Sequence, residues 1–92
     1  MISNPQLLRE YKARMLKTLN DYAGVAARET QLLTDFQINY LPSARLEDVQ
    51  QVLMAIKNDG NAARRLDDHR GWLWVITPSG HRVAERLILE DD

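Results

Sequence analysis

The chain has no cysteine among its 92 residues. That excludes a disulfide scaffold and any thiolate metal site, and it fits a reducing compartment. Long hydrophobic runs are missing too: none exceeds five residues, the length of Trp72–Ile76, against roughly 20 for a membrane-spanning helix. Only two histidines are present, His69 and His81, too few for a metal site. Neither sign of charge is in surplus, with 12 Lys and Arg against 13 Asp and Glu and a net charge of −1. A dedicated DNA-binding domain is usually basic, because neutralising phosphates supplies most of its affinity, so the overall balance argues against tight DNA binding. The opening residues Met1 to Pro5 hold neither a basic stretch nor an apolar segment. They are unlike a secretory signal, and the expected location is cytoplasmic.

What is present is an ordinary globular composition, 45% hydrophobic and 27% charged. The length suits one domain spanning residues 1–92, which buries roughly two-thirds of its surface and is of modest stability. The charge is polarised. Residues 1–20 carry Arg9, Lys12, Arg14 and Lys17 against Glu10, residues 61–77 carry Arg64, Arg65 and Arg70 against Asp67 and Asp68, and the tail ends Glu90-Asp91-Asp92.

Asn4-Pro5 opens a first helix, with Asn as cap and Pro where a missing N–H does no harm. Leu8, Tyr11, Met15, Leu19 and Tyr22 share one face, and Gly24 marks the stop. Val25-Ala26-Ala27 is short enough for one extended bridge. A second helix runs from about Arg28 to Tyr40, with Leu32, Leu33, Phe36 and Tyr40 inward. Leu41-Pro42-Ser43 breaks it, and Ser43 is the expected cap of the next. The third helix carries the clearest stripe, Leu46, Val49, Val52, Leu53 and Ile56, and ends at Asn58-Asp59-Gly60. The period then changes. Residues 62–67, a turn at Asp68–Gly71 and the β-forming run Trp72–Thr77 predict a hairpin. Thr77-Pro78 starts a last helix that buries Val83, Leu87 and Ile88. The expected core is Leu33, Phe36, Leu46, Val49, Leu53, Ile56, Val83 and Leu87.

This order of elements resembles the winged-helix superfamily. The stretch from Val75 to Leu87, with Thr77-Pro78-Ser79-Gly80 at its centre, looks like the wing-to-last-helix join of MarR-, PadR- and ArsR-like regulators, and Gly60 sits where those proteins often place a Gly after the recognition helix. Arg14-Met15-Leu16, Gly24-Val25 and Leu32-Leu33 are also similar to small winged-helix proteins of Mu-like prophages. The resemblance covers roughly residues 7–90. It implies an α+β winged helix-turn-helix: a three-helix core, a two-stranded β-hairpin wing and a C-terminal helix. Metal sensing of the ArsR kind is not implied, since the chain lacks Cys and its histidines are not at ligand spacing.

In a DNA-binding winged helix, the third helix enters the major groove and the wing touches backbone or minor groove. The candidate DNA contacts are therefore Arg45, Gln50, Gln51 and Lys57 on that helix and Arg64, Arg65 and Arg70 on the wing. Glu47 and Asp48 oppose phosphate contact and fit equally a solvated face that stabilises the helix N-terminus. Asp67 and Asp68 fit a wing that pairs its charges locally. Trp72 and Trp74 alternate with Leu73 and Val75, so both sides of the strand are apolar. Either the first helix covers the second side, or Tyr11, Met15, Trp72 and Trp74 belong to a subunit or partner interface. No nucleophile–base motif, Gly-rich phosphate loop or enclosed carboxylate pair is present, so no enzyme activity, cofactor or metal is expected.

Two function classes stay open. One is a small DNA-binding transcriptional regulator of phage, prophage or bacterial type that binds double-stranded DNA as a homodimer. The other is a protein–protein adaptor within a larger assembly, without DNA. The near-neutral charge and the mixed-sign third helix favour the adaptor; the resemblance implies the regulator.

Overall fold

The computed structural model describes residues 2–90. Helix α1 (Pro5–Asp21) starts as its sequence dictates: the Asn4 side chain accepts from the backbone N–H groups of Gln6 and Leu7. Beyond its end, Ala23 and Gly24 both adopt positive φ, 52° and 84°, and turn the chain into β1 (Ala27–Arg28). Helix α2 (Glu29–Asn39) and helix α3 (Leu46–Asn58) form the helix-turn-helix, followed by β2 (Ala62–Asp67), β3 (Gly71–Ile76) and α4 (Pro78–Glu90). The order matches the sequence expectation, with one addition. The bridge after α1 is a strand that pairs antiparallel with β3, so the hairpin grows into a three-stranded sheet of order β1-β3-β2.

Both helices of the helix-turn-helix begin on an arginine whose backbone N–H is met by the residue three positions on. Gln31 accepts from Arg28 at 2.9 Å, and Asp48 accepts from Arg45 at 3.2 Å. Ser43 is not the α3 cap. It lies inside a turn closed by Ala44 N–H on the Leu41 carbonyl, with Pro42 at the turn position that its fixed φ suits. The Gln37 amide ties this turn to α2 through the Ala44 carbonyl at 2.7 Å. At the far end of α3, Gly60 has φ +82°. The N–H groups of Gly60 and Asn61 then reach the carbonyls of Lys57 and Ile56, which satisfies the helix end as a paired left-handed cap does.

The core gathers Met15, Leu16 and Leu19 of α1, Leu32 and Phe36 of α2, Val49, Val52, Leu53 and Ile56 of α3, Trp74 of β3 and Ala84 of α4. Phe36 sits among edge-to-face contacts with Tyr11 and Tyr40. Leu33, Val83 and Leu87 are half-buried against this cluster. Leu46 departs from the expected core. It is 38% exposed, as the first residue of α3, and the buried part of the stripe begins one turn later at Val49. Ile88 is likewise exposed, at the free end of α4.

Cross-strand register explains the sheet's two faces. Ala27, Trp74 and Arg64 lie in one row, and Arg28, Leu73 and Arg65 in the next. Side chains alternate between faces, so Ala27, Ala62 and Trp74 look into the core. Leu73 is buried on the other side between two arginines, whose long apolar stems suit such a neighbour. This accounts for the doubly apolar β3: Trp74 packs into the helical core on one face, and Leu73 lies between Arg28 and Arg65 on the other. The join after β3 is held by Thr77. Its hydroxyl donates to the Gly60 carbonyl at 2.8 Å and accepts from Gly80 N–H at 3.0 Å, fastening the end of α3 to the start of α4.

Candidate nucleic-acid interface

Helix α3 turns its apolar stripe inward and leaves Leu46, Glu47, Gln50 and Lys57 exposed, with Met54 half-buried among them. At about 1.5 Å per residue, Arg45 before its first turn and Lys57 in its last are about 18 Å apart. They bracket this face and do not form one cluster. Next to it, α3 packs against β2, which places the wing alongside.

The wing gathers Arg64, Arg65 and Arg70. Arg64 lies on the core side of the edge strand β2, opposite Trp74, with its guanidinium 3.9 Å from the centre of the Trp72 ring and 5.7 Å from that of Trp74. Stacking of this kind fixes the side chain while leaving the in-plane N–H groups for other partners. Arg65 and Arg70 are exposed. Between them, Asp67 accepts from the backbone N–H groups of His69 and Arg70, each at 2.9 Å. Those two bonds, with the nearby charges of Arg70 and Arg65, hold its carboxyl below the usual carboxylate range. Asp67 therefore builds the turn that presents Arg70, where composition alone suggests plain charge cancellation.

Four candidate residues sit elsewhere. Gln51 is half-buried at the edge of α3, where its amide accepts from Ile2 N–H at 2.8 Å and donates to the Ile2 carbonyl at 2.7 Å. It ties down the segment before α1 and does not share the exposed face with Gln50. Met15 and Trp74, expected at an interface, are both 0% exposed, since the helices and sheet of this one chain enclose them. Tyr11 is half-buried in the aromatic group around Phe36 and Tyr40. Of that proposed set only Trp72 is exposed, at 36%, beside Leu66 at 64%.

One residue was not singled out from the sequence. Glu29, in the first turn of α2, accepts from the Trp74 indole N–H at 2.9 Å through Oε2 and from the Gln50 amide at 3.1 Å through Oε1. It joins helix-turn-helix and wing. Its partners lie 45 and 21 positions away, so no local pattern marks it.

Away from this face, a groove of about 490 Å³ lies between the end of α1 and the start of α4, bordered by Asn20, Ile76, His81 and Glu85. None of the candidate residues lines it. Among the described residues, no group of three or more His, Asp or Glu is placed to hold a metal, and no helix is long and apolar enough to cross a membrane.

Known structures share this arrangement. A MarR-family transcriptional regulator from Silicibacter pomeroyi superposes with a TM-score of 0.68 at 24% identity, over 85% of this chain and 48% of that one. A transcriptional regulator from Clostridium thermocellum superposes with a TM-score of 0.69 at 12% identity, over 97% of this chain and 87% of that one. The chain thus spans about half the length of the first. No family model and no curated protein matches the sequence. The likeness establishes the winged-helix fold.

Proposed function

We propose that this winged helix binds double-stranded DNA as a small transcriptional regulator of the bacterial or phage type that its sequence resembles, working as a homodimer. The observation that carries the reading is the pairing of an exposed α3 face with a cationic wing at its side: Arg65 and Arg70 exposed, and Arg64 braced on Trp72. In this reading α3 lies in the major groove, where Gln50 and Arg45 meet base edges, and the wing arginines and Lys57 take phosphates. The shared fold with two transcriptional regulators supports it by analogy alone.

The test is a fluorescence anisotropy titration against nonspecific duplex at several salt concentrations. Replacing Arg64, Arg65 and Arg70 with Ala leaves up to three phosphates without their cation, and the log–log salt slope flattens by about 0.9 for each of them. Absence of salt-dependent binding to any duplex at low ionic strength overturns the reading. A protein-adaptor role then stands in its place. The exposed Leu66–Trp72 pair at the wing tip and the net charge of −1 favour that alternative.

A further inference from the structure

We propose that Glu29 is a positioning residue that sets the base preference of Gln50, so that the domain selects an amino base, adenine or cytosine, over a keto base at the position Gln50 meets. The proposal rests on the DNA-binding reading and adds to it a specificity rule and the residue behind that rule.

The reasoning starts from what each group can do. A free glutamine on a recognition helix carries a donor end and an acceptor end, and rotation of the amide exchanges them. An ionised carboxylate only accepts. Gln50 meets Glu29 at 3.1 Å, so the NH2 end must face the carboxylate and the carbonyl end must face away. Among the described residues Gln50 Oε1 has no hydrogen-bond partner, and the residue is exposed. The outward end of Gln50 is thereby an acceptor.

Glu29 itself is well fixed. It is half-buried in the first turn of α2, where the helix dipole favours a negative charge. Its second oxygen accepts from the indole of Trp74, a ring wholly enclosed by the core. The carboxylate cannot swing away without leaving that indole N–H unpaired. The core therefore orients Glu29, and Glu29 orients Gln50.

In the major groove the exocyclic donors are adenine N6 and cytosine N4. Guanine O6 and thymine O4 are acceptors at the equivalent place. An outward carbonyl bonds to the first two and faces an unfavourable acceptor–acceptor approach with the others. Adenine and cytosine both present that donor, so both amino bases are admitted.

The experiment is selection of bound duplexes from a randomised library by the full chain, with melting temperatures measured for each variant. The wild type is expected to favour A or C over G or T by about fivefold at one position, as suits one hydrogen bond, and Gln50→Met removes that preference. Glu29→Gln also removes it, since an amide at residue 29 no longer dictates which end of Gln50 faces out. Glu29→Asp gives the same loss with charge unchanged, because the carboxylate retracts by one methylene. It thereby separates positioning from electrostatics and serves where Glu29→Gln does not fold. A preference that survives the folded Glu29 variants overturns the proposal and leaves DNA binding intact. A wild type that selects bases with no dependence on Gln50 does the same. A wild type that binds no duplex overturns the DNA-binding reading and this proposal together.

Discussion

Substituting Gly80 with Ala tests how tightly the wing is joined to the last helix. Gly80 is buried in the first turn of α4. A Cβ there would overlap the backbone carbonyl oxygen of Asn61 outright and come within 2.8 Å of Ile76 Cγ1. The isoleucine has rotamers to yield with, but the carbonyl does not. The same Asn61 oxygen accepts from Thr77 N–H at 3.2 Å, and Asn61 follows the left-handed cap of α3. Relief must move either the end of α3 or the start of α4. Forced overpacking costs about 1–3 kcal/mol, and contact with backbone puts this site at the upper end. Ala is favoured over Gly in a helix by about 1 kcal/mol, so the net loss is about 2 kcal/mol. For a domain of this size that lowers the melting temperature by roughly 8–16 °C. Gly60→Ala is the control. Its Cβ meets nothing within 4 Å but sits at φ +82°, so its loss is strain alone, about 1–2 kcal/mol. Thermal unfolding followed by circular dichroism measures both. A Gly80→Ala protein that melts at or above wild type refutes the packing argument.

Further outcomes follow from burial and bonding. Leu53→Ala, at a wholly buried position of α3, should cost about 2–5 kcal/mol in denaturant unfolding, whereas Leu46→Ala on the exposed first turn should cost under about 1 kcal/mol. Gln51→Ala should lower stability by about 1–2 kcal/mol because its two bonds to Ile2 disappear, and should leave base preference unchanged in the duplex selection. Burial, with the carboxylate of Asp35 bonded at 2.5 Å, pushes the Tyr22 hydroxyl up to about 12 from its ordinary 10.0. A raised folded value favours the protonated form, so its contribution is complete below pH 10 and is lost as pH climbs towards 12. Denaturation across that interval should show a steeper fall for the wild type than for Tyr22→Phe.

Local chemistry was legible in the sequence because it is settled within a few residues. Asn4-Pro5, the Gly60 cap and Thr77-Pro78 each act on their own neighbours, and each stands where the pattern put it. Periodicity found the α3 stripe for the same reason, and the hairpin followed from the change of period. What escaped depends on distant partners. Ser43 had the chemistry of a cap, but Pro42 and the Gln37 tie commit it to a turn. Two residues of β1 carry no strand signal until β3 offers an edge. Gln50 and Gln51 are alike in sequence, yet one helical step of about 100° separates an exposed side chain from one bonded to Ile2. Glu29 is an unremarked acid until the fold brings Trp74 and Gln50 to its two oxygens.

Charge placement leads to a last expectation, about stoichiometry. The net charge of −1 averages over regions that do not act together, since exposed charges further apart than about 10 Å are largely screened at ordinary salt. Lys12 on α1 is bonded to Asp59 at 2.6 Å, and Arg14 lies over the Tyr40 ring. Neither belongs to the α3 face or the wing. Near a duplex the relevant group is Arg64, Arg65, Arg70 and Lys57, with Asp67 and Asp68 close by. Four neutralised phosphates give a log–log salt slope of at most about 3.6 in magnitude for one protomer, and two protomers on one site give about 7. Titrations on a short duplex that fits a single wing should therefore show the smaller slope and weak binding, while a duplex of two half-sites should show the larger. A slope well above about 4 on the short duplex, with one protomer bound, would mean that cations outside α3 and the wing touch the DNA and that the interface is misplaced.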